Sequence, residues 1–319
     1  MAQQWREARA LRAKYRCFPY HYLKHRLYER SARTDFLDYL PARLVRHFRR
    51  LHNPRSQMHL LNDKQETTRI VGSAGIRCVE TLLSIQADGT IRRGDGANAE
   101  PGAAAEVLRR QGGDLFVKPI DSRAGLGAFR IAAASIDTAW VGSMRNVLIQ
   151  PALRNHPLID SLYAGSLNTL RMVTFVEEGR CVLIACCLKM GRGKTVVDNY
   201  NQGGIAVAIN LESGTLVRTG STKTNHGGSL FEAHPDTGVP FASITLPWWR
   251  ETIDLAGGTA LSLRPHVVLG LDIALAPEGP VFIEANGAAD MFSIQEVCGP
   301  LGNTLLGQRV LAHWLESRR

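Results

Sequence analysis

The sequence predicts an α+β fold assembled from antiparallel strand pairs. Apolar stretches recur in close pairs around turn residues, as in "LRMVTFVEEGRCVLIACCLKM" and "HVVLGLDIALAPEGPVFIEAN", the pattern of hairpins. Helical periodicity is confined to separate blocks and does not alternate regularly with single strands. A glycine loop, "KPIDSRAGLGAFRI" at 118–131, lies between two strand-like stretches, whereas the phosphate loops of doubly wound folds open a helix.

Residues 1–60 read as two or three helices. Tyr15, Phe18, Tyr22, Leu23 and Leu27 make one apolar stripe; Leu40, Leu44, Phe48 and Leu51 make another. "NDKQETTRIVG" from residue 62 reads as an Asn or Asp N-cap followed by a helix and a glycine stop, with a strand expected from about Ile76. A short helix is expected within 96–113, then the strand–glycine loop–strand unit, then a strand at "NVLIQP". The hairpin after it is expected to turn at Glu177-Glu178-Gly179, and "VDNYNQGGIAVAINLESGTL" to supply another hairpin. Residues 217–246 read as a long, polar, Gly-rich loop of the kind that carries function. A helix over about Pro247–Leu263, a tight Pro/Gly hairpin and a last helix near Leu305–Leu315 complete the order.

The chain has 319 residues, 45% hydrophobic and 21% charged, enough for one large or two modest domains. No apolar run approaches the roughly 18 residues of a membrane span, and the N-terminus lacks the apolar centre of a signal peptide. Six cysteines include no CxxC pair, so a zinc ribbon is not expected and all six read as reduced thiols of a cytoplasmic protein. The net charge of +9 is local: residues 1–60 carry 14 Lys and Arg against 4 acids. Arg43, Arg46, Arg49 and Arg50 crowd one helix there. The plain reading is a solvated basic face; the functional one is contact with an anionic polymer or a membrane surface, nucleic acid not being the expected partner.

Two nucleotide motifs fail. Gly125-Leu126-Gly127 begins a dinucleotide fingerprint, but Arg130 stands where its third glycine belongs and the following residues are strand-like. "GRGKT" at 191–195 mimics a phosphate-loop tail, but Leu188 replaces the first glycine and no helix follows. Protein kinases also fold a glycine loop over phosphates, but with glycines before the lysine and with HRD and DFG motifs absent here.

Lysine first and glycines second is the order of ATP-grasp enzymes. From about Asp63 to Asp290 the chain resembles that superfamily, closest to the group called sugar-transfer associated ATP-grasp, and more distantly the α-L-glutamate ligases and D-alanine–D-alanine ligases. The resemblance rests on "NDK", "FVKPIDSRAGLGA", "VLIQP", "SLNTLRMVT", "VDNYNQGGIAV", "HPDTG" and "LDIAL…GPVFIEAN" standing in that order. It implies two α+β subdomains, at 61–149 and 150–319, whose antiparallel sheets clamp ATP, after a basic helical segment at 1–60. It implies ATP contacts from Lys64, Lys118, the flap glycines Gly125 and Gly127, the hinge residues Ile149 and Gln150, Arg192, and the Gly203-Gly204 turn. Many relatives end the hinge in a carboxylate for the ribose; Gln150-Pro151 stands here, so Asp160 or the Asn168 region is a candidate instead.

Asp272, Glu284 and Asn286 are the expected metal ligands, hard oxygens of the kind Mg2+ takes, with two ions expected and Mn2+ able to substitute. Glu284 and Asn286 share a strand face. Asp272 joins them only if it pairs with 284; a four-residue turn at Pro277–Pro280 would pair it with 285, so a five-residue connection or a bulge is expected. A three-residue turn at 177–179 would pair 171 with 185 and put Arg171, Cys187 and Lys189 on one face, where two cations in an apolar hairpin call for a buried anion. Arg171, Lys189 and Asn199 are the candidate catalytic residues, Asp198 a possible base. His156, His226 and His234 read as loop residues, with 217–246 bordering the acceptor site. The activity implied is ADP-forming C–N ligation of a carboxylic acid and an amine through an acyl phosphate, on a sugar-, peptide- or polysaccharide-related acceptor. The alternatives are a kinase for a hydroxyl or carboxylate, and a non-catalytic protein that binds an anionic polymer or membrane through 1–60. The location expected is cytoplasmic or peripheral at the membrane.

Overall fold

The computed structural model describes residues 2–29, 35–120 and 127–318. Two antiparallel sheets organise it. The smaller has the order β2-β1-β5-β3-β4, built from β1 (Leu83–Ile85), β2 (Ile91–Arg93), β3 (Asp114–Pro119), β4 (Phe129–Ala132) and β5 (Val147–Pro151). The larger has the order β10-β9-β8-β7-β6-β11-β12. Its strands are β6 (Thr169–Glu177), β7 (Arg180–Met190), β8 (Ile205–Ile209), β9 (Leu216–Thr222), β10 (Leu230–Phe231), β11 (Val268–Ala276) and β12 (Gly279–Asn286).

The helices are α1 (Ala2–Tyr15), α2 (Tyr20–Lys24), α3 (Ala42–His52), α4 (Met58–Asn62), α5 (Lys64–Ser73), α6 (Pro101–Gln111), α7 (Thr138–Ser143), α8 (Pro157–Leu162), α9 (Trp249–Ser262), α10 (Met291–Cys298) and α11 (Leu305–Glu316). Their ends follow local chemistry. The Asp63 carboxylate accepts from the Gln65 and Glu66 amides to start α5. Pro101 opens α6 and Gly112, at φ 68°, closes it.

Period-two alternation assigns every strand residue a side. In β3, Leu115 and Val117 pack with Ile149, Leu108 and Val141 beneath α6 and α7, which leaves Phe116 and Lys118 for the other face. On the large sheet, Leu170, Met172, Leu271 and Ile273 pack with Ala256 and Ala260 of α9 and Val71 of α5. Residues of opposite parity meet two environments along the same strands. Val173, Phe175 and Val268 are covered by Leu11, Tyr15, Leu44 and Phe48 of the N-terminal helices and by Val310 and Trp314 of α11. Farther along, Arg171, Lys189 and Asp272 are left facing a cavity. The basic N-terminal segment therefore roofs one half of the sheet face whose other half is the site.

Several expectations need correction. Residues 76–82 are not a strand; they run extended past β12 with a single bridge, Cys78 to Phe282, and pairing begins at Leu83. The 217–246 stretch is not one loop, since β9, β10 and a short 3-10 turn at Phe241–Ser243 lie in it. The short helices α7, α8 and α10 were not expected. The six cysteines are free thiols.

Candidate functional site

A cavity of about 370 Å3 lies between the sheets. From the small sheet, Phe116 pairs with Arg130 on one side and Gln150 on the other, so these three and Lys118 present one face to it. Gln150 is buried and its amide donates to Thr81 Oγ1 at 3.3 Å. Ile149, one residue away, has the opposite parity and is wholly buried in the small core; its side chain does not reach the cavity, contrary to expectation.

The large sheet supplies the floor. Asp272 pairs with Glu284 because a bulge interrupts β12 at Ile283, and both Ile283 and Glu284 line the cavity. The turn itself is two residues, Pro277-Glu278, not four. The β6–β7 hairpin likewise turns on two residues: Glu177 pairs with Arg180, and both Glu178 (φ 49°) and Gly179 (φ 75°) are left-handed, as a primed hairpin turn requires. A bulge at Ile184 then shifts the register, so Arg171 meets Cys187 and Thr169 meets Lys189. The expected pairing of 171 with 185 was wrong by two residues, which preserves parity and hence the shared face.

The buried cluster has a defined wiring. Arg171 grips Asp272 with two nitrogens, Nε to Oδ1 at 2.8 Å and a terminal nitrogen to Oδ2 at 3.0 Å. Lys189 Nζ lies 3.3 Å from Asp272 Oδ2 and 3.6 Å from Asp198 Oδ2. Asp198 also accepts from the Thr169 amide at 3.0 Å and from its hydroxyl. Burial raises Asp272, but Arg171 and then Lys189 outweigh it and hold the carboxyl below its ordinary range. Glu284 goes the other way: burial raises it, and so does the Asp272 charge beside it. Asp198 is raised by burial, against Lys189. Burial lowers Lys118 to about 8, with Lys64 adding repulsion. Five cations (Lys64, Lys118, Arg130, Arg171, Lys189) line the cavity against three carboxylates, so the site favours a polyanion.

Divalent metal fits the donor set. Asp272 Oδ1 is buried and accepts no well-directed hydrogen bond, and Glu284 is held beside it at the cavity wall. Asn286 lines the same wall, its Oδ1 accepting from the Ala288 amide at 2.7 Å. Among the described residues no three His, Cys, Asp or Glu side chains converge as a metal cage. Two carboxylates and an amide suit an ion such as Mg2+ that keeps waters and takes substrate oxygens.

Lys64, Lys118, Gln150, Arg171, Lys189, Asn199, Asp272, Glu284 and Asn286 thus meet at one cavity. Others do not. Arg192 turns away and donates from Nε to the Gly203 carbonyl at 2.7 Å. Gly203 (φ 93°) ends the 3-10 turn that Asn199 starts; a Cβ on Gly204 would lie 2.7 Å from the Met190 carbonyl oxygen and 3.0 Å from that of Asn199. The two glycines shape the loop that holds Asn199 and do not line the cavity. Asp160 accepts from Asn155, and Asn168 is locked to the Tyr163 carbonyl and Ser166; neither reaches the cavity as a ribose partner. Gly125 and the flap segment 121–126 lie outside the described residues; Gly127 is exposed at φ 76°.

His234 lies in a loop, as expected, but not at the surface, where a polar-loop histidine usually sits. It is fully buried, stacked on Tyr163 at 5.2 Å, with Nε2 2.9 Å from the Gly191 carbonyl oxygen. Asp236 accepts from the Gly193 amide, which joins the two loops. Sequence reasoning passed over Phe116, Arg130 and Thr169. Alternation with Lys118 marked Phe116, but nothing local marks which exposed arginine faces the cavity.

Two antiparallel sheets enclosing a cavity lined by cations and carboxylates make up an ATP-grasp fold. Within it, residues 134–304, more than half of the chain, match the model of the sugar-transfer associated ATP-grasp family, and the chain belongs to that family. No protein of curated function matches it in sequence. Among solved structures, the ATP-grasp ligase PsnB complexed with a precursor variant, Mg and ADP is 12% identical, with TM-score 0.48 over 84% of this chain and 62% of that one. D-alanyl-alanine synthetase A from Vibrio cholerae is 10% identical, with TM-score 0.46 over 81% and 65%. D-cycloserine synthetase DcsG is 14% identical, with TM-score 0.47 over 82% and 73%. The chain spans less than two thirds of the PsnB structure's length.

Proposed function

We propose that the chain is an ATP- and Mg2+-dependent carboxylate–amine ligase that works through an acyl phosphate and releases ADP. The observation that supports this most is the Arg171–Asp272–Lys189 cluster beside Glu284 and Asn286, facing Lys118 across one cavity. Lys64, Lys118 and Arg130 would hold the phosphates of ATP, and Phe116 with Gln150 the base and its edge. Asp272, Glu284 and Asn286 would hold Mg2+, which when bound neutralises phosphate charge. An acid's carboxylate oxygen attacks the γ-phosphorus, forming a P–O bond as the bond to the ADP oxygen breaks; Arg171 and Lys189 stabilise the charge that develops. An amine then attacks the acyl carbon, and phosphate leaves. Asp198, whose carboxyl burial raises above its ordinary range and which lies 3.6 Å from Lys189, would take the amine's proton.

The test is ATP turnover with panels of acids and amines in the presence and absence of Mg2+. ADP and phosphate appearing only when both substrates are present supports ligation. A phosphorylated product points to a kinase instead, and no turnover with any pair overturns both.

A further inference from the structure

We propose that the end of the molecule formed by the Tyr15–Lys24 turn, α3 and the last turn of α11 docks on an anionic phospholipid bilayer. A second cavity, about 530 Å3, opens there between α3 and α11, lined by Arg43, Arg46, His47, Arg50, Trp314 and Arg318 with no carboxylate among its walls. None of the four arginines takes part in an ion pair among the described residues, although such pairs occur elsewhere in the chain. The Arg43 and Arg318 guanidiniums lie 5.6 and 4.4 Å from the centre of the Trp314 ring, and His47 meets that ring edge-on at 5.4 Å with a buried Nε2 that has no hydrogen-bond partner. Four fixed positive charges around an aromatic wall make a receptor for phosphate oxygens.

The neighbouring surface says what carries the phosphate. The Trp314 indole N–H donates to the Tyr15 carbonyl at 2.8 Å, which seats the Arg pocket against the turn that follows α1. On that turn Phe18 is 70% exposed, Tyr20 64% and Leu23 52%; Tyr20 and Leu23 lie three apart on α2 and so share a side. Trp5, 70% exposed, is carried by α1, which Tyr22 ties to α2 through its hydroxyl on Glu7. Side chains this exposed project outward and line no groove. A polyanionic chain gains little from Phe18 and Leu23, whereas a bilayer interface accepts aromatic and aliphatic side chains while its headgroups meet the arginines.

The test is co-sedimentation of the full chain with vesicles of phosphatidylcholine alone or mixed with phosphatidylglycerol, at low and high salt. Arg43→Gln/Arg46→Gln/Arg50→Gln and Phe18→Ser/Leu23→Ser are compared with the unaltered chain, and thermal melting checks that each folds. Expected are binding to the anionic vesicles only, a loss with salt, and a drop of roughly a hundredfold for the triple arginine variant, at about fivefold per charge. The Phe18→Ser/Leu23→Ser pair weakens binding and leaves its salt dependence unchanged. Equal binding to both vesicles, no vesicle binding with retention on heparin or an oligonucleotide, or folded variants that bind like the parent would each overturn the proposal.

Discussion

Asp272 is the residue on which the site turns. It is nearly buried, 7% exposed at the side chain, and neutralises Arg171 and Lys189 together. Asp272→Asn leaves two buried cations short of a partner, so it is expected to lower stability by about 3–5 kcal/mol, the cost of breaking a buried pair from one side; urea unfolding measures it. Glu284 has no ion pair to lose among the described residues. Glu284→Ala is therefore expected to keep the melting temperature while turnover falls about 100-fold or more, and unchanged turnover would remove Glu284 from the metal set. Lys118 gives a pH signature. Its folded value, near 8, lies below the ordinary 10.5 because burial disfavours the charge. Between these values the unfolded chain binds more protons than the folded one, so apo stability rises with pH across that window. On the proposed role of Lys118 in holding ATP's phosphates, which requires the protonated amine, ATP affinity is expected to fall as pH rises through about 8. Calorimetry of ATP binding across pH reads the second effect; a flat profile contradicts it.

Elements show what was legible and what was not. Parity read the faces of β6, β7, β11 and β12 correctly even where the turns were misjudged, because the register error at 171 was an even number and β12 carries its bulge. A bulge or a longer connection was inferable because acid and amide had to share a side with Asp272; the bulge falls at Ile283. Short helices such as α8 and α10 carry too few turns for a periodic signal. The HPDTG stretch looked like an open loop because polar residues usually are exposed; burial of His234 depends on Tyr163 and Gly191, distant in sequence. His234→Ala removes that stacking and hydrogen bond, and a loss of about 2–3 kcal/mol in urea unfolding is expected. Gly204→Ala tests the neighbouring loop: its Cβ meets two carbonyl oxygens at 3.0 Å or less, so Asn199 must shift, and turnover is expected to drop more than stability does.

At the scale of the whole molecule, the N-terminal helices are part of the large lobe's core. Asn53, 3% exposed, accepts from the Val267 and Val268 amides and donates to the Val268 and Gly287 carbonyls, and Arg49 donates to the Ala289 carbonyl. These bonds pin the start of the strand that carries Asp272 and the turn just after Asn286. Composition marked residues 1–60 as basic and helical; that they complete a sheet face required the fold. The meeting of Lys118 with Glu284 across the cavity was likewise available only from the family resemblance, since no local pattern links two sheets. The proposed ligation requires this cavity to couple ATP cleavage to joining an acid and an amine. The most direct measurement is Mg2+-dependent ADP release assayed with acid alone, amine alone and both together. Release that requires both, with a product containing a new C–N bond, is expected. Release that proceeds with one substrate and leaves that substrate phosphorylated would contradict it.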